Sequence, residues 1–294
     1  MDMKIATAAY PLDFFDSWAG YEDKVFRWVD EAASHGAELL VFPEYAAMEL
    51  ATLDGAEVAA DLEKSLHAVS DRMADANALH AHLAREFGVH ILGGSAPVFD
   101  GGARPVNRAH FFAPNGKADH QDKQIMTRFE RETWGVVGGG PLKVFDTALG
   151  KIGVLICYDS EYPLLGRAIS ECDLILVPSC TEALSGYWRV RIGAMARALE
   201  QQCVTVMASL VGTADWSEAV DVNTGMGGLF GPPDTGFPAT GVIAEGALNE
   251  AGWTYGEVDV EAIAHVRADG VVLNRTHWQE QSPRDGDVTY MSMQ

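Results

Sequence analysis

Glu44 in LLVFPE, Lys123 in ADHQDKQ and Cys157 in KIGVLIC would together make a complete apparatus for acyl chemistry. A free thiol is only a few per cent thiolate at neutral pH, so as a nucleophile it needs a base or a nearby cation. A glutamate can take the proton. A lysine ammonium can stabilise the thiolate and then the oxyanion of a tetrahedral intermediate. No histidine is required, although His90, His110 and His120 keep a Cys–His pair open. Each residue also has a plainer reading. Taken alone, Cys157 reads as one more buried, inert cysteine, Glu44 as a solvated loop carboxylate, and Lys123 as a surface lysine.

The elements that must position these groups are strands. Ile152, Val154, Leu155 and Ile156 form an apolar, β-branched run bounded by Gly150 and Pro163, the pattern of a strand buried on both faces. The polar residues after Cys157 are expected to turn into a helix whose first turn carries Asp159 and Glu161. Glu44 follows a second short strand, Glu38–Phe42, and Pro43 stiffens that exit. A carboxylate partly desolvated there would have its pKa pushed toward the range of a general base. Lys123 comes after a strand at Arg108–Ala113 and the turn signal Pro114-Asn115-Gly116.

Elsewhere the chain alternates strand-like and helix-like pieces. Strands are expected at Ile5–Ala9, Val89–Gly93, Lys143–Phe145, Lys151–Ile156, Asp173–Pro178, Val204–Ala208, Gly241–Glu245 and Trp253–Val258. Helices are expected at Tyr21–Ser34, Glu161–Ser170, Gly186–Gln202 and from Glu261. Val58–Phe87 reads as one or two helices stopped by a left-handed cap at Gly88. In Gly186–Gln202, Ile192, Met195 and Leu199 mark a packing face, and Arg197 and Glu200 form an ordinary i, i+3 pair. Trp134 and Tyr158 divide evenly between core and pocket. The Gly-, Pro- and Asp-rich stretch Asp221–Phe237 is expected to shape a pocket entrance.

Of the 294 residues, 48% are hydrophobic and 21% charged, which suits one globular α/β domain spanning 1–294 with a sizeable core. The formal charge of −21 argues against nucleic acid as a partner, since phosphate binding needs clustered Lys and Arg. No run approaches the roughly 18 apolar residues of a membrane helix, and no signal-peptide pattern opens the chain. The cysteines at 157, 172, 180 and 203 lack CxxC spacing, which disfavours a metal centre or a disulfide framework and leads us to expect the cytoplasm.

These pieces resemble the nitrilase superfamily of carbon–nitrogen hydrolases. The resemblance covers most of the chain. It rests on FPE at Phe42–Glu44, the block around Lys123, CYDSEYP at Cys157–Pro163 and WRVRIGAMARALEQQ at Trp188–Gln202, in the family's order and approximate spacing. It implies a four-layer α-β-β-α sandwich, a homodimer or larger homo-oligomer, no cofactor and no metal. Carried over residue by residue, Glu44 matches the general base, Cys157 the nucleophile, and Lys123 the residue that stabilises the intermediate. The backbone N–H of Tyr158 matches a second oxyanion donor. Relatives also carry a second glutamate between lysine and cysteine. Here Glu130 and Glu132 both qualify, and Glu132 is favoured by its distance to Trp134 and the following glycines. True nitrilases commonly have tryptophan after the nucleophile, and Tyr158 stands there instead. This resembles amidase-like and carbamoylase-like branches more closely.

The implied function is hydrolysis of a small-molecule amide through a cysteine thioester. Alternatives within the superfamily are N-carbamoyl hydrolysis, acyl transfer to an amine and, further off, nitrile hydrolysis. From other classes come a catalytically silent binding protein and a redox-sensing cysteine, the latter weakened because no resolving cysteine stands at short spacing.

Overall fold

The computed structural model describes residues 2–284, 286 and 288–294. In the first half, β1 (Asp2–Pro11), α1 (Trp18–Ser34) and β2 (Leu39–Val41) lead to a 3₁₀ turn at Ala46–Asp54. Then come α2 (Ala56–Ala60), α3 (Leu62–Phe87), β3 (His90–Leu92), β4 (Ala96–Val98), β5 (Val106–Phe112) and β6 (Ala118–Asp122). The second half holds β7 (Val144–Thr147), β8 (Gly150–Val154), α4 (Pro163–Ala168), β9 (Leu174–Ser179), α5 (Leu184–Gln201) and β10 (Val204–Thr213). It closes with β11 (Val222–Asn223), β12 (Gly228–Phe230), β13 (Val242–Glu245), β14 (Gly252–Asp259), α6 (Val260–Asp269) and α7 (Asn274–His277).

The strands make two sets with a shared seam. One set runs β4-β5-β3-β2-β1 and the other β10-β9-β8-β7. β1 meets β10 in parallel only at Ala9–Pro11 against Ser209–Val211, and antiparallel β14 lines the rest of β1. β1 is buried on both faces: Met3 and Ile5 belong to one apolar cluster, Ala6, Ala8 and Tyr10 to another. The second cluster also holds Val25 and Val29 of α1 and Leu66 and Val69 of α3, so these helices cover one outer face. The first holds Val190, Ala194 and Ala198 of α5 together with strands of both sets, which places α5 on the opposite outer face. The order is helix, sheet, sheet, helix, the four-layer sandwich that the resemblance implies.

The expected elements form with shifted ends, and the shifts have local causes. Val58–Phe87 is divided at Asp61, whose carboxylate caps α3 by accepting from the N–H groups of Glu63 and Lys64 at 3.0 and 2.9 Å. Gly88, at φ 69°, ends that helix in the left-handed region as its position predicts. β8 stops at Val154 rather than Ile156, because the chain must turn there to present Cys157. The expected helix Glu161–Ser170 is a 3₁₀ turn at Cys157–Glu161 followed by the shorter α4, with Pro163 at its start. β4, β6, β11 and β12 have no counterpart among the expected strands, and β12 sends Leu229 and Phe230 from the Gly- and Pro-rich stretch into the core. On α5 the expected packing face is largely displaced: Ile192 is 62% and Leu199 40% exposed, while the small residues Gly193, Ala194 and Ala198 are buried.

A buried ion pair secures the 3₁₀ turn that follows Glu44. Glu49 accepts from Lys24 of α1, from the Tyr10 hydroxyl at 3.0 Å and from the Asp13 N–H at 2.7 Å. Burial pushes the Glu49 carboxyl up to about 7 against the opposing pull of Lys24. Removing one member of such a pair strands the other charge. Lys24→Met is expected to destabilise the fold by about 3–5 kcal/mol in denaturant unfolding, with part of the loss recovered in Lys24→Met/Glu49→Leu.

Candidate active site

Three strand exits converge, those of β2 and β8, which have parallel partners, and that of β6, which pairs antiparallel with β5. The carboxyl ends of parallel strands are where open α/β sheets gather chemistry. After β2, the Phe42 N–H bonds to the Leu92 carbonyl at 3.0 Å, and the next two residues bring Glu44 inward, 1% exposed. Tyr45 then takes φ 58°, a left-handed position held by its N–H donating to Ser95 Oγ at 2.9 Å. Beyond β6, the Lys123 N–H donates to Asn107 O at 2.8 Å and the Lys123 carbonyl accepts from Gly139 N–H at 3.0 Å. Gly139 has to be glycine, because a Cβ there would lie 2.1 Å from Asp122 Cβ.

Cys157 itself stands at φ 49°, a conformation that costs a non-glycine residue energy and recurs at functional turns. Its turn is held from three sides. Ser160 Oγ donates to the Cys157 carbonyl at 2.7 Å, Arg197 of α5 donates to Ser160 O at 3.3 Å, and Gly193 lets α5 approach Ser160 closely. Arg197 also pairs with Glu200 at 3.0 Å, so the expected helix pair is present and one of its members supports the turn.

The side chains meet around one buried ammonium. Lys123 Nζ donates to Glu44 Oε1 at 2.7 Å and to Glu130 Oε2 at 2.7 Å. Glu44 Oε1 also accepts from Asn107 Nδ2 at 2.9 Å, and Oε2 accepts from the Cys180 N–H at 3.0 Å. Glu130 accepts from the Tyr45 hydroxyl at 2.6 Å and from the N–H and hydroxyl of Thr127, each at 2.8 Å. The Cys157 thiol donates to the Cys180 carbonyl at 3.7 Å.

These contacts set the charge states. Burial raises Glu44 to about 7, opposed by Lys123 and reinforced by the charge of Glu130. Burial would also raise Glu130, but Lys123 and the hydroxyl and amide donors around it hold it below the ordinary carboxylate range. For Lys123, burial favours the neutral amine and is outweighed by the two carboxylates, which keep it a cation. Burial and the neighbouring Glu44 push the Cys157 thiol well up, so it rests protonated beside a carboxylate of near-neutral pKa.

The group opens into a cleft of about 560 Å³. Tyr45, Phe129 and Trp134 form an aromatic wall, with Trp134 5.0 Å from Tyr45 between ring centroids and its indole N–H donating to Leu62 O at 3.0 Å. Trp134 therefore serves both core and pocket. Tyr158 lines the mouth, ring edge against Tyr162 at 5.0 Å. Its backbone N–H lies in the first turn of the 3₁₀ segment, where amide donors have no partner within the helix. The outer wall carries Glu161, Glu182, Glu218 and Asp221 against one guanidinium, Arg189, which pairs with Glu161 at 3.3 Å.

Of the expected site residues, Glu44, Lys123, Cys157 and Tyr158 share this cleft. Glu132 does not. It lies at the surface in an ion pair with Arg128 at 2.7 Å, and Glu130 is the glutamate on Lys123. The reason is local: Glu130–Trp134 is a π-helical turn, and residues two apart on a helical turn face nearly opposite ways. From Asp221–Phe237 only Asp221 and Val222 reach the cleft. No histidine among the described residues lines it, and His110 instead pairs across β5 and β6 with His120. No group of three or more His, Cys, Asp or Glu among the described residues could hold a metal ion. Sequence reasoning missed Asn107, which reaches both Glu44 and Glu130, and the backbone of Cys180. Both depend on pairing between distant strands.

A carbon-nitrogen hydrolase family model matches residues 4–268. "Probable hydrolase YhcX" of Bacillus subtilis is 32% identical over 277 residues, covering 92% of this chain and 52% of that protein. Nitrilase 3 of Arabidopsis thaliana is 31% identical over 196 residues, 63% of this chain and 56% of its own. The chain thus spans about half the length of these relatives. Nit3 of Saccharomyces cerevisiae, from branch 10 of the nitrilase superfamily, superposes with a TM-score of 0.72 at 21% identity, covering 94% of this chain and 96% of its own. An amidase variant from Nesterenkonia sp. AN1, with the acetamide moiety of fluoroacetamide on its active-site cysteine, gives 0.65 at 21% identity, covering 95% and 96%. At such identities the structural likeness is one of fold; the family match over nine-tenths of the chain carries the assignment, and the chain belongs to the carbon–nitrogen hydrolases.

Proposed function

We propose that this protein is an amidase acting on linear small-molecule amides through a thioester on Cys157. The observation that carries the reading is the buried Glu44 carboxylate, bonded to Lys123 and beside a thiol whose own environment keeps it protonated. Glu44 takes the Cys157 proton as the sulfur attacks the amide carbonyl. The Lys123 ammonium and the Tyr158 N–H hold the oxyanion. The intermediate collapses, breaking the C–N bond, and Glu44 returns the proton to the departing ammonia or amine. Water then attacks the thioester, giving its proton to Glu44, which passes it back to the sulfur as the acid leaves. Glu130 keeps Lys123 charged and aimed. The reaction needs no cofactor. N-carbamoyl hydrolysis and acyl transfer to an amine use the same covalent step. The exposed Ile192 and Leu199 on α5 support a homodimer or larger assembly formed through that helix.

The wall charges narrow the substrate. Three carboxylates, Glu182, Glu218 and Asp221, line the cleft and make no ion pair among the described residues, which disfavours anionic acyl or leaving groups.

Cys157→Ala is expected to abolish turnover and the acyl adduct in intact-mass spectra, and full turnover in that variant would sink the reading. Glu44→Gln should lower kcat by about 10²–10⁴-fold. Because the basic form of Glu44 is the active one, kcat/KM should rise with pH through an acid limb near 7. Glu130→Gln removes a charge that raises Glu44, so that limb should move to lower pH. Among amides of equal length, an ω-amino compound should have a KM several-fold below its ω-carboxy analogue, with the gap narrowing as salt rises. The reverse order would refute the charge argument.

A further inference from the structure

Asp159 stands two residues after the nucleophile, is 1% exposed, and does not line the cleft. Its Oδ1 accepts from the Ile125 N–H at 2.8 Å and from the Gln124 N–H at 3.2 Å, and its Oδ2 accepts from the Gln124 N–H at 3.0 Å. Those two amides directly follow Lys123 in the chain. Among the described residues Asp159 makes no ion pair within salt-bridge distance, so its hydrogen bonds come from backbone donors, with the charge of Lys123 also favouring the ionised form. Such a group carries a desolvation penalty that packing by itself does not require. Burial pushes it up to about 6, against the amide donors that favour its charged form.

We infer that Asp159 is a positioning residue that locks the turn bearing Cys157 to the segment bearing Lys123. The inference rests on the reading of Cys157 and Lys123 above. The other anchors of each side are separate: Ser160 and Arg197 hold the Cys157 turn, while Asn107 and Gly139 hold the Lys123 backbone. Asp159 joins the two with a single side chain. Without that link each half keeps its own support, but the distance between thiol and ammonium is no longer set. Reactive groups displaced by about an ångström lose about 10²-fold in rate.

The test uses Asp159→Ala and Asp159→Asn in the full chain. Asn retains one acceptor oxygen for Ile125 and loses the other. Two readouts are taken on folded protein, verified by thermal unfolding. The first is the pH dependence of Cys157 alkylation by iodoacetamide, followed by peptide mass mapping. The second is kcat and KM on an amide the unmodified protein accepts. In Asp159→Ala the alkylation profile should move to higher pH, because the thiolate loses the nearby ammonium. Its kcat should fall by about 10²-fold with KM within threefold, and Asp159→Asn should lie between. A purely structural role would lower the unfolding temperature and leave both readouts unchanged per folded molecule, which would overturn the inference. Should Asp159→Ala fail to fold, Asp159→Asn decides by the same criteria. If the unmodified protein turns over no amide, the amidase reading fails. The alkylation profile still decides the role of Asp159.

Discussion

One ammonium between two carboxylates, buried among aromatic and apolar side chains, is the constraint on which the rest of this structure depends. Lys123 is 1% exposed and bonds to Glu44 and Glu130 at the same distance of 2.7 Å. Three charges removed from water carry a large desolvation penalty, which their mutual attraction offsets only with good geometry and further hydrogen bonds. Those bonds come from Tyr45, Thr127, Asn107 and the Cys180 amide, drawn from four separate parts of the chain. The cluster retains a net negative charge. That excess falls on Glu44, which is why Glu44 rather than Glu130 is the carboxylate poised to accept a proton near neutrality.

The sandwich is what makes such a cluster possible. Strand exits are the places where a rigid, dry core ends and backbone is free to turn. β2, β6 and β8 each end within one residue or a few of a site group, and β9 ends in the Cys180 amide that holds Glu44. The left-handed conformations at Tyr45 and Cys157 fall at two of these exits. Each is strained for a residue with a side chain and persists because neighbours over-determine it: Ser95 for the first, Ser160 and α5 for the second.

Legibility from the sequence followed sequence distance. The strands around Glu44 and Cys157 were readable because their apolar runs are local, and Gly88 was readable as a cap because its φ is dictated by a single backbone position. That Glu44, Lys123 and Cys157 would make a chemically complete set was readable because they are residue types that need one another, and the structure brings them into one cleft. Asn107 was silent, since an asparagine in a strand has meaning only when β5 and β6 are paired. Glu132 fits the family's spacing to Trp134 and the glycines better than Glu130 does, but spacing along the chain says nothing of facing, and on a π-helical turn residues two apart point nearly opposite ways, Glu130 inward. On α5 the large residues suggested the buried face. The close approach to the Cys157 turn instead demands small ones, so Gly193 and Ala194 pack and Ile192 is left outside.

Burial sets both halves of the proposed chemistry. The same desolvation that pushes the Cys157 thiol up, and so keeps it from ionising at rest, pushes Glu44 into the range where it can accept that proton. A cysteine activated by a permanent cation alone would stand as thiolate and be open to any electrophile or oxidant. Here Lys123 is already engaged by two carboxylates, and its pull on the sulfur is correspondingly reduced. The thiol can lose its proton to Glu44 as a carbonyl oxygen arrives to take up the stabilisation that Lys123 offers. On this reading, nucleophilicity appears with substrate rather than before it, and the acidic cluster around Lys123 is the reason.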